Sequence, residues 1–458
     1  MSKFQFQTSI SHSRKSDPPY IRGLPILGNV PYLYADAISF LMKAHQTYGD
    51  IIQVDQGLLG KPYFVFHPDG VKRVLQGGFR KETSELTFML GRGLASSATG
   101  DHWRKQRRMM QPAFHRQRLT QLTEIMTDTI SHILDTQWTK FVTNRQPLDT
   151  LFEMEQLTAK VILATMFGTD MNSELKEVVN SLTHIIDYIG KRFFSVIRLP
   201  MTWPTPANRR FQQAIYKIDQ IVDQLIEYRR GHGVEADDLL GLLMAAQDDE
   251  TGIGMSNEQL HNEVKTMFLA GFETTSVLLT WIWYLLKQHP HIEQKLHTEI
   301  STTLGTRKPI FADIGQLTYT NMVIQETLRL YPPTWTMLRR FDKPEKIEGI
   351  TIPANHTVLL CPYITHRHSE FWSEPEAFKP ERFSPAQLDK QSRFAFVPFG
   401  AGPHQCIGRD LAVVEAQLII SMIMQRFRIV LGNIDQVKPL ARVTLAPDRN
   451  LTMHVEYR

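Results

Sequence analysis

Cysteine is nearly absent from this chain: 458 residues contain only Cys361 and Cys406. A framework of stapling disulfides is thereby excluded, and so is a thiolate cage for a structural metal. Two thiols in so long a chain fit a reducing, cytoplasmic compartment, though a single Cys361–Cys406 bridge stays open on sequence alone. An excess of charge is missing too. Lys and Arg number 51 against 47 acids, a net +4, too mild for nucleic acid to be the main partner. Residues Met1 to Tyr20 are polar and serine-rich, with neither the apolar core of a signal peptide nor a run long enough to span a bilayer. We expect no membrane anchor, a flexible tail over 1–17, and one domain over 18–458. No internal repeat, low-complexity tract or interdomain linker breaks that stretch.

What is present is mostly helical periodicity. From Asp36, a good N-cap, to Gly49, a good stop, apolar positions recur at Ile38, Leu41, Met42 and Tyr48. Two short β-runs, Ile51–Val54 and Tyr63–Phe66, separated by Gly57, Gly60 and Pro62, predict a small antiparallel sheet. Ser256-Asn257-Glu258-Gln259 reads as a capping box, and no proline follows until Pro290, so a helix of some thirty residues is expected. Its stretch Met267–Leu286 is apolar enough to pose as a membrane span. Glu273 and the hydroxyls of Thr274, Thr275, Ser276 and Thr280 argue instead for a helix through a soluble core.

The most informative stretch is Phe399-Gly-Ala-Gly-Pro-His-Gln-Cys-Ile-Gly408. Glycines and a proline crowd around Cys406, and apolar periodicity resumes at Leu411, Val414, Leu418, Ile419 and Met422. Cys406 thus stands before a helix, where free N–H groups favour thiolate over thiol. A thiolate in a glycine-lined turn is a metal ligand or a nucleophile. The spacing of Phe399, Gly402, Cys406 and Gly408 resembles the haem-binding loop of cytochrome P-450 enzymes, with His404 where the family often has arginine.

Four more stretches follow in that family's order. Trp103 and Arg107, four apart after Gly91-Arg92-Gly93-Leu94, resemble the pair that reaches a haem propionate. Ala270-Gly271-Phe272-Glu273-Thr274 is similar to the oxygen-binding groove, with Glu273 and Thr274 as the acid–alcohol pair. Glu326-x-x-Arg329 and the Pro380-Glu381-Arg382-Phe383 turn resemble the family's buried charge network. Arg339 matches a further propionate ligand. His366 and His368 read as packing on that side, since no other metal ligand lies nearby in sequence.

The resemblance implies a mostly α fold with minor antiparallel β, an α-rich triangular prism around haem b. It implies Cys406 as axial iron ligand, with Trp103, Arg107, Ala270, Gly271, Arg339, Phe399, Gly402, His404 and Gly408 around the cofactor. The thiolate favours O–O cleavage, and the two protons that O2 reduction takes would pass through Glu273 and Thr274. The implied activity is monooxygenation, a hydroxylation or epoxidation of a lipophilic molecule such as a fatty acid or terpenoid. With no flavin or nicotinamide motif visible, electrons would come from a ferredoxin or flavodoxin with its reductase. Six basic residues and no acid between His102 and Thr123 are either a solvated helix face or that partner's docking patch. Position in the family order marks Phe88, Phe268 and Phe272 as candidate pocket residues, then Thr334, Trp335 and Thr336, then Thr444 and Leu445. A peroxide-driven peroxygenase or isomerase of the same fold is the rival among enzymes, although both usually lose the acid–alcohol pair. A non-catalytic haem sensor is the rival outside them.

Overall fold

Apolar periodicity too continuous for a surface helix places one helix at the centre and the others around it. The computed structural model describes residues 18–77, 80–81, 84–96, 100–168, 175–193, 195, 198–232, 238–248, 250–388, 392–435 and 437–458. The tail expected over 1–17 lies outside them. Among the described residues, the longer helices of the first half are α1 (Val30–Tyr48), α2 (Asp101–Met110), α3 (Arg116–Ile133), α4 (Thr150–Phe167), α5 (Leu175–Phe193) and α6 (Pro206–His232). The second half supplies α7 (Asn257–Gln288), α8 (Pro290–Leu304), α9 (Thr318–Leu330) and α10 (Arg409–Arg426).

Helix α7 is the axis. Ser256 caps it, its side chain accepting from the Gln259 amide at 3.2 Å, and Pro290 opens the next helix. Its 32 residues are long and apolar enough to cross a membrane, yet 78% of the most apolar window is buried inside the protein. The two largest apolar clusters meet along it. Val264, Met267, Phe268 and Phe272 pack with α4, α5 and α6. From Val277 to Leu286 the helix packs instead with α3, α8, α9 and α10. The handover falls at Glu273–Ser276, four of the five polar residues that argued against a membrane span.

The expected N-terminal helix is longer than the periodicity indicated, and kinked. Asp36 has non-helical φ and ψ inside α1, and its Oδ1 accepts from the Ser39 amide at 2.9 Å. It therefore caps the second segment of a broken helix.

Six short strands form the main sheet: β1 (Tyr20–Ile21), β2 (Ile51–Val54), β3 (Tyr63–Val65), β4 (Arg80–Lys81), β6 (Met337–Arg340) and β7 (Thr357–Leu360), in the order β1-β2-β3-β7-β6-β4. The β2–β3 hairpin is antiparallel, Ile51 opposite Val65. The β1–β2 and β3–β7 pairings are parallel. The sheet is mixed because chain from both ends of the sequence joins the hairpin. A second sheet of β8 (Phe427–Leu431), β11 (Thr452–Tyr457) and β5 (Leu148–Asp149), with a two-stranded hairpin of β9 (Pro439–Ala441) and β10 (Leu445–Pro447), closes the C-terminal end. The β9–β10 turn reaches back to α7.

Candidate active site

The cysteine loop is built by glycine geometry. Gly400 and Gly402 have φ of 67° and 70°, which non-glycine residues rarely adopt. At Gly402 a Cβ would also lie 2.3 Å from the Leu75 carbonyl oxygen. The loop closes when the Cys406 amide donates to the Phe399 carbonyl at 2.9 Å, leaving the Cys406 side chain exposed. Helix α2 clamps it from one side. Arg107 donates through Nη1 to the Gln405 carbonyl at 2.8 Å, and the Trp103 and His404 rings lie 4.0 Å apart, centre to centre. Burial lowers the Arg107 pKa, and the neighbouring Cys406 charge opposes that shift.

Three features fit a flat, anionic iron porphyrin. Arg339 is 6% exposed, and its guanidinium meets the Leu338 carbonyl at 2.8 Å while no carboxylate among the described residues pairs with it. Burial alone pushes its pKa down to about 10, the signature of a cation awaiting an anion such as a propionate. A Cβ on Gly408 would meet nothing nearer than Phe114 at 4.0 Å, so no protein atom accounts for that glycine. Ala270 is exposed and Leu269, Gly271 and Thr274 are half-buried, whereas Met267, Phe268, Phe272, Glu273 and Thr275 around them are buried. That opens one face of the central helix.

At this opening, Thr274 Oγ1 donates to the Ala270 carbonyl at 2.8 Å and α7 continues unbroken. Glu273 turns the other way. It is 8% exposed, and its Oε1 accepts from Thr444 Oγ1 at 2.7 Å. Burial drives its pKa up to about 7, against the stabilising Thr444 hydroxyl. A carboxyl poised there holds or releases a proton near neutrality.

Behind the loop stands the charge network. Arg329 meets both oxygens of Glu326 at 2.6 and 2.8 Å and donates its other N–H groups to the carbonyls of His366, Pro375 and Ala377. Arg382 approaches Glu326 Oε1 at 3.3 Å as an ion pair and donates to the Glu374 carbonyl. Glu326 and Arg329 are fully buried.

The pocket candidates separate. Phe88 and Thr334 are exposed, and Thr336 is half-buried with its hydroxyl on the Leu360 carbonyl. Phe272 and Leu445 are fully buried, Phe268 and Trp335 nearly so, all four inside core clusters. On a helix, Phe272 points away from the face that Ala270 and Thr274 share. Thr444 is engaged with Glu273.

The basic run is also partly neutralised. Arg108 pairs with Asp248 and Glu250, and Arg104 with Asp101. Arg116, with Arg393 and Arg409, lines a cavity of about 570 Å³ along the cysteine loop and α10. Ala270, Thr274 and Arg339 take no part in that cavity, so it is distinct from the opening on α7.

His366 and His368 also diverge. His366 is buried with Nε2 accepting the Val397 amide, and burial beside Arg329 and Arg367 lowers its pKa to about 3. His368 shares Asp50 with His45, at 3.0 and 2.9 Å. These partners, more than three hundred residues from His368, were invisible in sequence, as was Glu155 on α4. Burial raises the Glu155 pKa to about 8, helped by Glu273.

Comparison with known proteins agrees with this geometry. A family model described as Cytochrome P450 matches residues 18–452. The chain is 34% identical to a cyclooctatin synthase of Streptomyces melanosporofaciens over 97% of its own length and 96% of the relative's. It is 35% identical to a cyclooctat-9-en-7-ol 5-monooxygenase of the same organism, covering 89% and 88% of the two chains. A pentalenene oxygenase of Streptomyces avermitilis is 30% identical, covering 95% and 96%.

Proposed function

This chain belongs to the cytochrome P450 family of haem-dependent monooxygenases, and from that premise we propose that it oxygenates a cyclic terpenoid, hydrocarbon or alcohol, at a C–H or C=C bond. The full-length similarity to proteins named for cyclooctatin, cyclooctat-9-en-7-ol and pentalenene supports the substrate class. The single observation that carries the reading is the opening of α7 at Ala270 and Thr274 beside a Glu273 that titrates near 7.

Cys406 would ligate the iron, with Phe399, Gly402 and Gly408 letting the backbone lie close, and Trp103, Arg107, His404 and Arg339 holding the periphery and its carboxylates. The bound haem supplies the oxidising power. The protein's own residues decide where protons and water go. Thr274 Oγ1, now on the Ala270 carbonyl, can rotate to donate into the opening. Glu273 replenishes that proton and is itself reloaded from outside. Buried Phe268 and Phe272 behind the helix keep bulk water out, so the proton arrives only along this path. Electrons would come from a separate ferredoxin or flavodoxin with its reductase, in the cytoplasm, docking where Arg116, Arg393 and Arg409 surround the cavity by the cysteine loop.

The test has two arms. Dithionite-reduced protein under carbon monoxide should show the red-shifted Soret band of thiolate ligation, absent in Cys406→Ser. A conventional band in well-folded, haem-loaded wild type would overturn the reading. Turnover of cyclic sesquiterpenes and diterpenes with a surrogate ferredoxin and reductase should then give mono-oxygenated products. Oxidation of fatty acids alone would overturn the substrate class.

A further inference from the structure

Glu273 is buried and held by a turn 171 residues away. That turn, between β9 and β10, is itself pinned at several points. The Leu445 amide donates to the Pro333 carbonyl at 3.0 Å, and the Trp281 indole N–H of α7 donates to the Leu445 carbonyl at 2.7 Å. The Trp335 indole N–H donates to the Arg442 carbonyl at 2.8 Å, and the Arg442 amide closes the turn on the Thr444 carbonyl at 3.0 Å. Thr444 is 5% exposed, so its hydroxyl has little water to exchange with. At its outer end the turn is tied to α5, where Arg442 Nη1 meets Asp187 Oδ1 at 2.6 Å.

We propose that Thr444 is the positioning residue for the acid of the acid–alcohol pair: its hydroxyl, delivered by a turn that hydrogen bonds to Trp281, Pro333 and Trp335 hold in place, sets the orientation and protonation of Glu273. The proposal rests on Glu273 being the proton donor of the proposed function. It goes beyond that reading by giving the C-terminal hairpin a part in the chemistry, where family position suggested only a pocket wall.

The chemistry is direct. An O–H donor on Oε1 stabilises the carboxylate that burial disfavours, and it leaves Oε2 to carry the transferable proton. Three charged groups face the carboxyl. Arg442 of the turn favours ionisation, Asp187 of α5 opposes it, and Glu155 of α4 is itself raised by Glu273. Without the hydroxyl, the carboxyl would stay protonated to higher pH and be free to swing. Proton delivery would then slow, and reduced oxygen would leave as hydrogen peroxide.

The experiment uses haem-loaded protein with Thr444→Val, which keeps the shape and removes the hydroxyl, and Thr444→Ser, which restores it. Infrared titration of the Glu273 carboxyl, identified by its loss in Glu273→Gln, should show a midpoint near 7 in wild type. In Thr444→Val it should rise by about one pH unit, the size of one hydrogen bond to a charged group. Peroxide released per electron pair from a surrogate ferredoxin should rise several-fold in Thr444→Val, and Thr444→Ser should reverse both changes. An unmoved midpoint would overturn the proposal. So would a moved midpoint with unchanged peroxide yield, because the hydroxyl would then hold an acid outside the proton path. The carbon monoxide spectrum of the same samples reports thiolate ligation independently, so failure here is distinguishable from failure of the proposed function.

Discussion

Arg329 carries five N–H donors, and all five are used: two on Glu326 and three on backbone carbonyls of the segments before and after His368. This is an arginine's job, since lysine offers neither the fork nor the reach. The pair is expensive to desolvate and adds little net stability, but removing one member strands the others. Glu326→Ala should therefore cost about 3–5 kcal/mol, leaving Arg329 and Arg382 buried without their carboxylate. By contrast, Glu381→Ala breaks a half-exposed pair with Lys295 and should cost less than about 1 kcal/mol. Denaturant midpoints of the two variants check this; equal losses would mean that the buried network is not integral to the fold. At this scale the sequence was readable where partners sit within a turn of each other, as in Glu326–Arg329 and Ala270–Thr274. It was unreadable where they do not: His368 finds Asp50 at a separation of 318 residues and Arg442 finds Asp187 at 255.

Among the elements, the cysteine loop and α7 carry the proposed site, and each depends on one constraint. For the loop it is Gly402. Alanine there would hold φ near 70° and also drive its Cβ into the Leu75 carbonyl at 2.3 Å. Gly305, the C-cap of α8, has φ 57° with nothing within 4 Å of its Cβ position, so Gly305→Ala incurs backbone strain alone. We expect about 1–3 kcal/mol for Gly305→Ala with normal haem content, and a larger loss for Gly402→Ala with a severalfold drop in haem per protein. Thermal unfolding and haem absorbance on the same preparations decide; similar haem content in both would show that the loop tolerates displacement. For α7 the constraint is its polar break at 273–276, legible because four consecutive polar residues interrupt an apolar run. The periodicity could not tell which neighbours cover which half. Phe268 and Phe272 show this: they follow the family order of the pocket, and helix rotation turns them into the α4–α6 cluster.

The whole molecule buries several ionisable groups, and their balance sets its response to pH. Burial raises Glu155 and Glu415 to about 8 and Glu263 and Glu273 to about 7. Unfolded, each would ionise near 4.5, so the native state holds protons that the unfolded state releases. Stability from these four falls as pH rises from about 4.5 through 7 to 8. His366, lowered to about 3, acts the other way: the unfolded state takes up a proton near 6.5, so its contribution is lost as pH falls from there toward 3. Four carboxyls outweigh one imidazole, and their combined slope between pH 5 and 8 is downward with rising pH. Glu415→Gln, on the face of α10 toward α7, removes one of the four. Guanidinium midpoints at pH 5 and pH 8 should differ less in the variant than in wild type, by about 1 kcal/mol or more. An identical pH slope would show that Glu415 is ionised in the folded protein.

By itself, the sequence determined the family, the glycine-built cysteine loop, the capped central helix with its polar break and the mostly helical class. All of these are written in residues a few positions apart, where backbone geometry and helix periodicity leave little choice. Only the tertiary structure decided that the sheet is mixed, that Phe272 and Leu445 are core, that Arg104 and Arg108 are already paired, and that Thr444 holds Glu273. Those outcomes depend on which distant segments share the same buried space, and the cost of leaving a buried polar group unpaired selects the partner only once the chain has closed around it.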